Sequence, residues 1–572
     1  MTMVARPLLI SLCFTFFHLS ISFAQQNPSF TDFINQQHDW VDSVFHKLNK
    51  KERIAQLFMV RAHTNLGEEY IDSVAKVIRK EKLGGVVLFQ GGPVRHAELI
   101  NRYQALAKVP LFMALDGEWG LGMRLADSTV SFPYQMTLGA IRDEQILYEM
   151  GQEVAKQFKR LGLNINFAPD VDVNNNPNNP VINFRSFGEN KENVARKGAA
   201  YMKGMVDGGI LTTLKHFPGH GDTDVDSHKD LPQLNFTRDR LENLEMYPFK
   251  QLIAEGAPGV MVAHMNIPAL DTTAHLPSSL SRAIITDILK KQLGFRGLIF
   301  TDAMGMNGVV KYFKDGEADV RAIIAGNDVL ELSQNSKRAI KKVRKAVRKK
   351  RVDREELDQR VKKVLAAKYW LQLDRWQPVP TDGLIADLNN EAALALNQRL
   401  ADAAVTLLKG NDRVKALDPS KKTAIVSIGV SGITPFQQEL QAYFKHSLAF
   451  VLSANASVSE IAQVSKELAS YDQVIVALHD SRLRPQSKLN YNQDVHLFVS
   501  ELAAKQALFT VLANPYTMAT FPGIEQAGAI LVGYQNDVNL QKAAAKVWTK
   551  SLVPSGKLPV TVNTFFKFGD GL

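Results

Sequence analysis

The sequence predicts an α/β protein: a (β/α)8 TIM barrel followed by a smaller open-sheet α/β/α sandwich domain. Two observations favour this fold class. Between about residues 57 and 333, apolar runs alternate eight times with amphipathic stretches, as in a barrel of eight β-α units. The chain also has 572 residues, whereas one domain usually holds roughly 100–200 and barrels reach about 250, so two domains are expected.

Eight strand candidates build the first domain. They are residues 57–61, 85–89, 111–115, 165–168, 211–214, 260–263, 298–300 and 329–332. Apolar residues with helical spacing predict the intervening helices at 69–82, 95–108, 144–161, 194–207 and 284–293. A doubly wound open sheet is the competing interpretation, and the residues that follow the strands weigh against it.

Ionisable residues lie at the C-terminal ends of six of the eight strand candidates: Asp116, Asp170, Lys215 with His216, His264, Asp302 and Glu331. Functional residues of such barrels collect at the C-terminal ends of the strands. Loops are polar in general, but this recurrence indicates one polar pocket.

Four segments are predicted along the chain. They are a signal peptide at 1–24, the barrel domain at 25–376, a Pro-containing linker at 377–388 and the second domain at 389–572. A helix at 389–408 and strands at 423–428, 474–478, 509–512 and 529–532 predict a parallel sheet between helices. This second region has no nucleophile elbow, phosphate-binding loop or dinucleotide fingerprint.

The N-terminus has the pattern of an export signal. Arg6 precedes an apolar run at 8–19, and a small-residue cleavage pattern ends at Ala24. The run is shorter than the ~20 residues that span a bilayer. We expect cleavage after Ala24 and an exported protein, periplasmic or secreted, with no transmembrane segment. The single cysteine, Cys13, lies in this segment, which excludes disulfide and cysteine chemistry from the mature chain.

The net charge of +10 comes from one segment. Residues 337–351 hold ten Lys and Arg and no acid, which equals the whole excess, and Ile340, Val343 and Val347 form an apolar stripe. The first interpretation is a helix with one solvated face. The alternative is a patch for an anionic envelope polymer or lipid surface. No nucleic-acid-binding module is present, so no nucleic-acid partner is expected.

Ionisable side chains are most concentrated at residues 215–228, where fourteen residues include three histidines and three aspartates. Gly219 and Gly221 allow sharp turns and Pro218 stops strand pairing, so we expect a mobile loop over the barrel mouth.

Two chemistries compete for this loop. In the first, His216, His220, Asp226 and His228 supply metal ligands, but the pattern HExxH is absent and a glycine-hinged loop makes a poor cage. In the second, a turn brings the carboxylate of Asp226 to one imidazole nitrogen of His228. The other nitrogen then transfers a proton, which contributes roughly 10²–10⁴-fold in rate. We expect no metal and no cofactor.

Asp302 follows the apolar strand of the sequence GLIFTDAMGM, residues 297–306. A lone carboxylate at a barrel mouth serves as a nucleophile, a general base or a metal ligand. A carboxylate nucleophile is how glycosidases handle a reaction that passes through an oxocarbenium-like state.

These residues carry a resemblance to glycoside hydrolase family 3, in its β-N-acetylhexosaminidase (N-acetylglucosaminidase) branch. The motifs are KHFPGHG…DSH at 215–228, NFRSFG at 183–188, FAPDVDVN at 167–174, FTD at 300–302 and DGEWG at 116–120. The first of these separates this branch from the β-glucosidases of the family. The resemblance implies a retaining exo-β-N-acetylglucosaminidase acting on peptidoglycan fragments or chitin-like oligosaccharides.

The resemblance also implies residue roles. Asp302 matches the nucleophile, and His228 paired with Asp226 matches the acid/base. The residues that match those holding the hydroxyls of the terminal sugar are Asp116, Arg185, Lys215 and His216, with Arg124 as a further contact. One departure from the family pattern is Trp119, which stands where many members have glycine and puts the preference for the leaving group in doubt.

Three other hypotheses stay open. A phosphorylase of the same fold fits because a histidine repels phosphate less than a carboxylate does. A metal-dependent hydrolase would use the histidine-rich loop. A non-catalytic saccharide-binding protein would keep only the pocket.

Overall fold

The computed structural model describes residues 29–314, 316–481 and 491–572. The predicted signal peptide, with Cys13, lies outside them. The described chain forms two α/β units, a barrel and an open sheet, which confirms the predicted fold class. None of the helices in these ranges is long and apolar enough to cross a membrane.

Eight parallel strand positions form the barrel. The strands are β1 (Phe58–Ala62), β2 (Gly85–Leu88), β3 (Phe112–Leu115), β4 (Ile165–Asn166), β5 (Leu211–Thr212), β6 (Leu214–Phe217), β7 (Gly259–Val262), β8 (Leu298–Thr301) and β9 (Leu330–Glu331). β5 and β6 are two parts of one strand position, interrupted at Thr213. The ladder runs β5-β4-β3-β2-β1-β9 and β6-β7-β8. Single bridges join Phe300 to Val329 and Asp170 to Lys215, and these close the ring.

A helix follows each strand position and covers the barrel. These helices are Glu68–Glu81, Pro93–Leu106, Gln145–Leu161, Lys191–Asp207, Tyr247–Ala254, Ala283–Gln292, Glu317–Ala325 and Ser336–Arg348. The third and fourth pack most closely, and glycines allow it. A Cβ atom on Gly204 would lie 2.1 Å from the carbonyl oxygen of Tyr148, and one on Gly151 would lie 2.5 Å from that of Tyr201.

The basic segment forms the last barrel helix, Ser336–Arg348. Ile340 and Val343 are buried against the barrel and Val347 is half-buried, as the apolar stripe predicts. Most of the lysines and arginines are exposed. The helix Arg354–Trp370 follows it and packs against Asp39–Lys47 near the start of the described chain.

The second domain is a six-stranded sheet between helices. Its strands are β10 (Thr406–Lys409), β11 (Thr423–Ile428), β12 (Ser447–Leu452), β13 (Gln473–His479), β14 (Leu508–Leu512) and β15 (Ala529–Val532), in the order β10-β15-β14-β13-β11-β12. All neighbours are parallel except β10 and β15. The flanking helices are Glu391–Ala404, Pro435–Tyr443, Val458–Leu468, Gln493–Ala504 and Val538–Trp548.

The predicted helix at 389–408 is wrong at its C-terminal end. The helix stops at Ala404, Val405 turns the backbone to the extended region, and β10 begins at Thr406. A short apolar run at the end of a helix has no period that separates helix from buried strand. Antiparallel pairing with β15 decides its state here. The edge strand β12 was not predicted from the sequence.

The second domain braces loops at the barrel mouth. The side-chain oxygen of Gln535 accepts hydrogen bonds from the backbone N–H of Tyr134 and the hydroxyl of Thr137, both at 2.7 Å. The side chain of Asn174 donates to the hydroxyl of Tyr516 at 3.1 Å. These bonds fix the loops after β3 and β4, which carry several of the polar residues described next.

Candidate active site

A cavity of ≈ 390 Å³ opens at the C-terminal ends of the barrel strands. Seven of the eight residues predicted for the site line it, and the eighth, Asp226, contacts one of them. The lining residues that the argument uses are Arg61, Phe89, Asp116, Glu118, Trp119, Arg124, Arg185, Lys215, His216, His228, Asp302 and Glu331. The structure therefore brings together side chains from seven of the eight strand positions or from the loops that follow them.

Asp302 lies immediately after β8, where the strand delivers its carboxylate to the cavity. Its Oδ1 atom accepts the backbone N–H of Ala303 at 2.7 Å. Burial opposes ionisation, but the neighbouring His264 and His216, with this backbone bond, hold the pKa of Asp302 below its ordinary value. The side chain is therefore an anion at neutral pH, which is the state a nucleophile needs.

His228 lines the same cavity from the loop after β6. Its Nδ1 atom lies 2.8 Å from Oδ1 of Asp226, and its backbone N–H donates to the same oxygen at 2.9 Å. The two bonds fix the ring orientation and place the proton on Nδ1, so the Nε2 atom is free for proton exchange. The imidazole is 66% exposed and stands at the mouth.

The start of this loop is anchored rather than free. The carboxylate of Asp172 accepts Nδ1–H of His216 at 2.7 Å and the backbone N–H of His220 at 2.7 Å. His220 in turn contacts the hydroxyls of Thr223 at 2.7 Å and Ser227 at 3.2 Å. Burial, and then the neighbouring His216, lower the pKa of His220 to about 4, so it is neutral and links the loop internally.

The two loop glycines serve close packing. Gly219 has φ +134°, and a Cβ atom there would lie 2.6 Å from Cβ of Glu245. A Cβ atom on Gly221 would lie 1.8 Å from the carbonyl oxygen of Val173. The prediction that both are hinges is not supported by this packing, because both sit in a buried segment. Movement of His228 has to come from the residues after Gly221.

A buried cluster of ion pairs forms the inner wall. Nζ of Lys215 lies 2.9 Å from Oδ1 of Asp116 and 2.8 Å from Oε1 of Glu118. Arg124 binds the other oxygen of Asp116 at 2.5 Å. Arg185 binds Glu118 through Nε at 2.9 Å and Nη2 at 2.7 Å. Positive and negative side chains thus alternate in this cluster, and all five of them also line the cavity.

The electrostatics of this wall keep each member charged. Burial penalises the carboxylates of Asp116 and Glu118. Lys215 and the arginines outweigh that cost and lower the pKa of both groups. The same partners raise the pKa of Lys215 against its burial. A rigid set of ionised donors and acceptors suits the hydroxyl groups of a sugar, because charge-assisted hydrogen bonds are strong and directional.

The metal interpretation of the loop finds little support. His216, His220, Asp226 and His228 do not converge, since His220 contacts hydroxyls and His228 pairs with Asp226. Over the described ranges, the one group with ligand spacing is Asp170, Asp172 and His216. Two of its members, Asp172 and His216, hydrogen-bond each other, and neither Asp170 nor Asp172 lines the cavity.

Arg61, Glu118 and Trp119 are among the cavity residues that were not predicted as site residues. Glu118 and Trp119 lie in the quoted motif DGEWG, where adjacency to Asp116 was the available signal. Arg61 lies in β1, one residue before its end, and faces the ring of Phe89 at 4.8 Å. Trp119 packs edge-on against Tyr134 at 4.8 Å and is half-buried at the cavity wall. The available signal for Arg61 was its position at the end of the strand candidate 57–61, the same signal that marked the other ionisable residues.

Comparison with known proteins agrees with this geometry. The family model described as glycosyl hydrolase family 3 N terminal domain matches residues 50–367. Beta-hexosaminidase A of Pseudoalteromonas piscicida is 29% identical over 551 residues, covering 86% of this chain and 91% of that protein. Beta-hexosaminidase of Neisseria meningitidis serogroup C is 35% identical over 236 residues, covering 40% of this chain and 64% of that protein.

A solved structure matches both domains. The glycoside hydrolase family 3 beta-N-acetylglucosaminidase from Paenibacillus sp. str. FPU-7 superposes with a TM-score of 0.75 at 30% identity. The match covers 90% of this chain and 99% of that chain. A beta-glucoside phosphorylase superposes with a TM-score of 0.78 at 22% identity, which shows a shared fold only.

The barrel, its polar mouth and these matches define a glycoside hydrolase. The chain belongs to glycoside hydrolase family 3, and its relatives confirm the resemblance to the β-N-acetylhexosaminidase branch.

Proposed function

We propose that the protein is a retaining exo-β-N-acetylglucosaminidase. The observation that carries the proposal is the placement of Asp302 and His228 on one cavity. A carboxylate nucleophile and a separate proton donor at the same bond are the two groups that hydrolysis with retention requires.

In the first step, the carboxylate of Asp302 attacks the anomeric carbon while His228 protonates the departing oxygen. The donor is Nε2–H of the imidazolium, whose charge Asp226 stabilises through Nδ1–H. A glycosyl ester of Asp302 forms and the leaving group departs as an alcohol. In the second step, neutral His228 takes a proton from water, which attacks the anomeric carbon and releases Asp302.

The inner wall supports cleavage at a chain end. Lys215 and Glu118 line the cavity and are buried, and in this proposal they form its closed inner end. A saccharide therefore enters with its terminal residue first, and the next residue stays near the mouth beside His228. Release of single terminal sugars follows from this shape.

The N-acetylated sugar is supported by the relatives, whose names are hexosaminidase and N-acetylglucosaminidase. We propose peptidoglycan fragments or chitin-like oligosaccharides as substrates. Both carry β-linked N-acetylglucosamine, and the sequence pattern before Ala24 suggests export to a compartment where such polymers occur.

The test is hydrolysis of a panel of aryl β-glycosides that carry N-acetylglucosamine, glucose, xylose or N-acetylgalactosamine, with the product anomer followed by NMR. The expected result is preference for the N-acetylglucosaminide and a β-configured first product. An α-configured first product would refute retention. A phosphate-dependent reaction that yields a sugar 1-phosphate would instead support a phosphorylase.

A further inference from the structure

Glu331 is a buried carboxyl group for which the proposed mechanism has no role. It ends β9, the last strand of the barrel, and lines the cavity. The residue is only 3% exposed. On one side its strand pairs with β1, and on the other a bridge joins Val329 to Phe300 of β8. The barrel therefore fixes the position of its backbone beside the strand that carries Asp302.

The backbone N–H and C=O groups of Glu331 both make hydrogen bonds, whereas the Oε1 atom of its side chain makes none. Its N–H donates to the hydroxyl of Thr301 at 3.1 Å, and its carbonyl accepts the N–H of Met304 at 2.9 Å. The Oε1 atom is buried and has no hydrogen-bond partner. Buried polar atoms are nearly always hydrogen-bonded, and an exception at a cavity wall needs an explanation. Because Oε1 is closed to solvent, a ligand hydroxyl in the cavity would reach the carboxyl group of this cavity-lining residue through its other oxygen, Oε2.

The charged groups around Glu331 decide which partner it can take. Asp116 after β3 and Asp302 after β8 act on it as anions, while Lys215 on β6 acts as a cation. Arg61 on β1 lines the same cavity. Burial, followed by the charges of Asp116 and Asp302, raises the pKa of Glu331 well above its ordinary value. This shift favours the neutral acid, which can donate as well as accept a hydrogen bond.

We propose that Glu331 is a sugar-binding residue whose carboxylic acid donates a hydrogen bond to one hydroxyl group of the terminal sugar. The proposal rests on the glycosidase function proposed above and adds a specificity residue to it. Every other carboxylate of the wall is ionised and only accepts. Glu331 supplies a donor that carries no charge beside the nucleophile, so it does not weaken the anion of Asp302.

Two properties of the enzyme follow. A sugar that lacks the recognised hydroxyl leaves the acid unpaired and binds less well. At alkaline pH the acid ionises, loses its donor and adds a third negative charge beside Asp116 and Asp302. Binding of a neutral sugar therefore weakens as pH rises through the raised pKa of Glu331.

The experiment compares Glu331→Gln, which keeps a donor and cannot ionise, with Glu331→Met, which has neither property. The readout is kcat/KM on the aryl glycoside that the wild type hydrolyses fastest, together with its monodeoxy analogues. We expect Glu331→Gln to keep activity within about fivefold and Glu331→Met to lose roughly 10–100-fold, the range for one unmade buried hydrogen bond. For one monodeoxy analogue, kcat/KM of the wild type should fall by the same factor. For Glu331→Met, kcat/KM should be the same on this analogue as on the parent glycoside.

A second readout uses pH. Calorimetric binding of the free sugar should weaken at alkaline pH in the wild type and stay level in Glu331→Gln. The matched control is Glu81→Met, because Glu81 is also a buried carboxyl but lies on a barrel helix away from the cavity. It should change the melting temperature and leave kcat/KM unchanged.

Three results would overturn the proposal. They are full activity in Glu331→Met, equal losses of activity in both Glu331 variants, and a further loss of kcat/KM in Glu331→Met on every monodeoxy analogue, as large as the loss in the wild type. Failure of the proposed function is a separate outcome. It appears as wild-type hydrolysis of a different glycoside in the panel, and the role of Glu331 is then read on that glycoside.

Discussion

Nδ1 of His228 lies 2.8 Å from Oδ1 of Asp226, and the backbone N–H of His228 donates to that same oxygen. A single carboxylate oxygen of Asp226 thus fixes both the imidazole ring and the backbone of His228. This arrangement leaves Nε2 as the reactive atom and offers Asp226 as the counter-ion when the ring becomes cationic. In the proposed function, this local pair of residues, two apart in sequence, forms the proton-transfer group.

Replacement of His228 by Ala should slow hydrolysis by roughly 10²–10⁴-fold, the usual contribution of one positioned acid or base. The loss should be larger for substrates with poor leaving groups, because these depend on protonation of the departing oxygen. Steady-state kinetics on a series of aryl N-acetylglucosaminides measure it. His446→Ala, an exposed histidine of the second domain, is the matched control. Equal losses for good and poor leaving groups would argue against the acid role.

Replacement of Asp302 by Ala should lower kcat by on the order of 10⁴–10⁶-fold, as expected when a covalent nucleophile is lost. The fold should persist, since Asp302 follows β8 and does not pack in the core. Azide added to the variant should restore turnover of an activated substrate and give the α-glycosyl azide, which NMR identifies. A β-glycosyl azide from this variant would contradict the assignment of Asp302 as nucleophile.

The fall of kcat/KM at acidic pH should follow the protonation of Asp302. His264, His216 and the Ala303 N–H lower its pKa against the effect of burial, and the reactive form is the carboxylate. Activity that depends on this group is present above its pKa and is lost as pH falls through it, which places the midpoint below the ordinary value of about 3.9. Profiles of kcat/KM under conditions where the fold is intact measure it. An acid midpoint well above that value would show that another group controls this fall of kcat/KM.

Glu118→Gln should destabilise the protein by on the order of 3–5 kcal/mol, because it leaves two buried cations with one carboxylate fewer. The affected partners are Arg185 and Lys215. Since both face the cavity, KM should rise as well. Thermal or chemical unfolding and kinetics measure the two effects. Glu98→Gln, at an exposed glutamate of a barrel helix, is the control, and a similar small change in both variants would argue against a buried ion cluster.

Gly221→Ala should displace the catalytic loop, because the added Cβ atom would lie 1.8 Å from the carbonyl oxygen of Val173. The three nearest atoms all belong to the backbone of Val173, so no flexible side chain can move away to relieve the clash. We expect a lower melting temperature and loss of activity together. Gly432→Ala is the control, since nothing lies within 4 Å of a Cβ atom there. Retention of full activity by Gly221→Ala would show that the loop is looser than this packing implies.

Much of the barrel followed from the sequence. Strands such as Gly85–Leu88 and Leu298–Thr301 are apolar on both faces and short, so their composition alone identifies them. The strand Thr406–Lys409 was missed because it continues the apolar run of a helix. Its state depends on an antiparallel partner more than a hundred residues away, Ala529–Val532.

The candidate site likewise has one part that the sequence predicts and another that depends on the tertiary fold. Asp226 and His228 contact each other through a local turn, and Asp302 follows its own strand, so sequence order alone proposes these residues. The convergence of Lys215 with Asp116 and Glu118 is different, because these residues are about a hundred positions apart. Ring closure of the barrel brings their strand ends together.

The sequence by itself determined the alternation of strands and helices, the family motifs and the residues at the strand ends. Only the tertiary structure decided that Gly219 and Gly221 are packed, that Glu118 neutralises two buried cations and that Glu331 has an unpartnered oxygen at the cavity wall. The physical reason is that hydrophobic pattern and local turns act over a few residues. Burial, the electrostatic effect on a carboxyl group and the distance to a backbone carbonyl depend on neighbours that folding alone brings near.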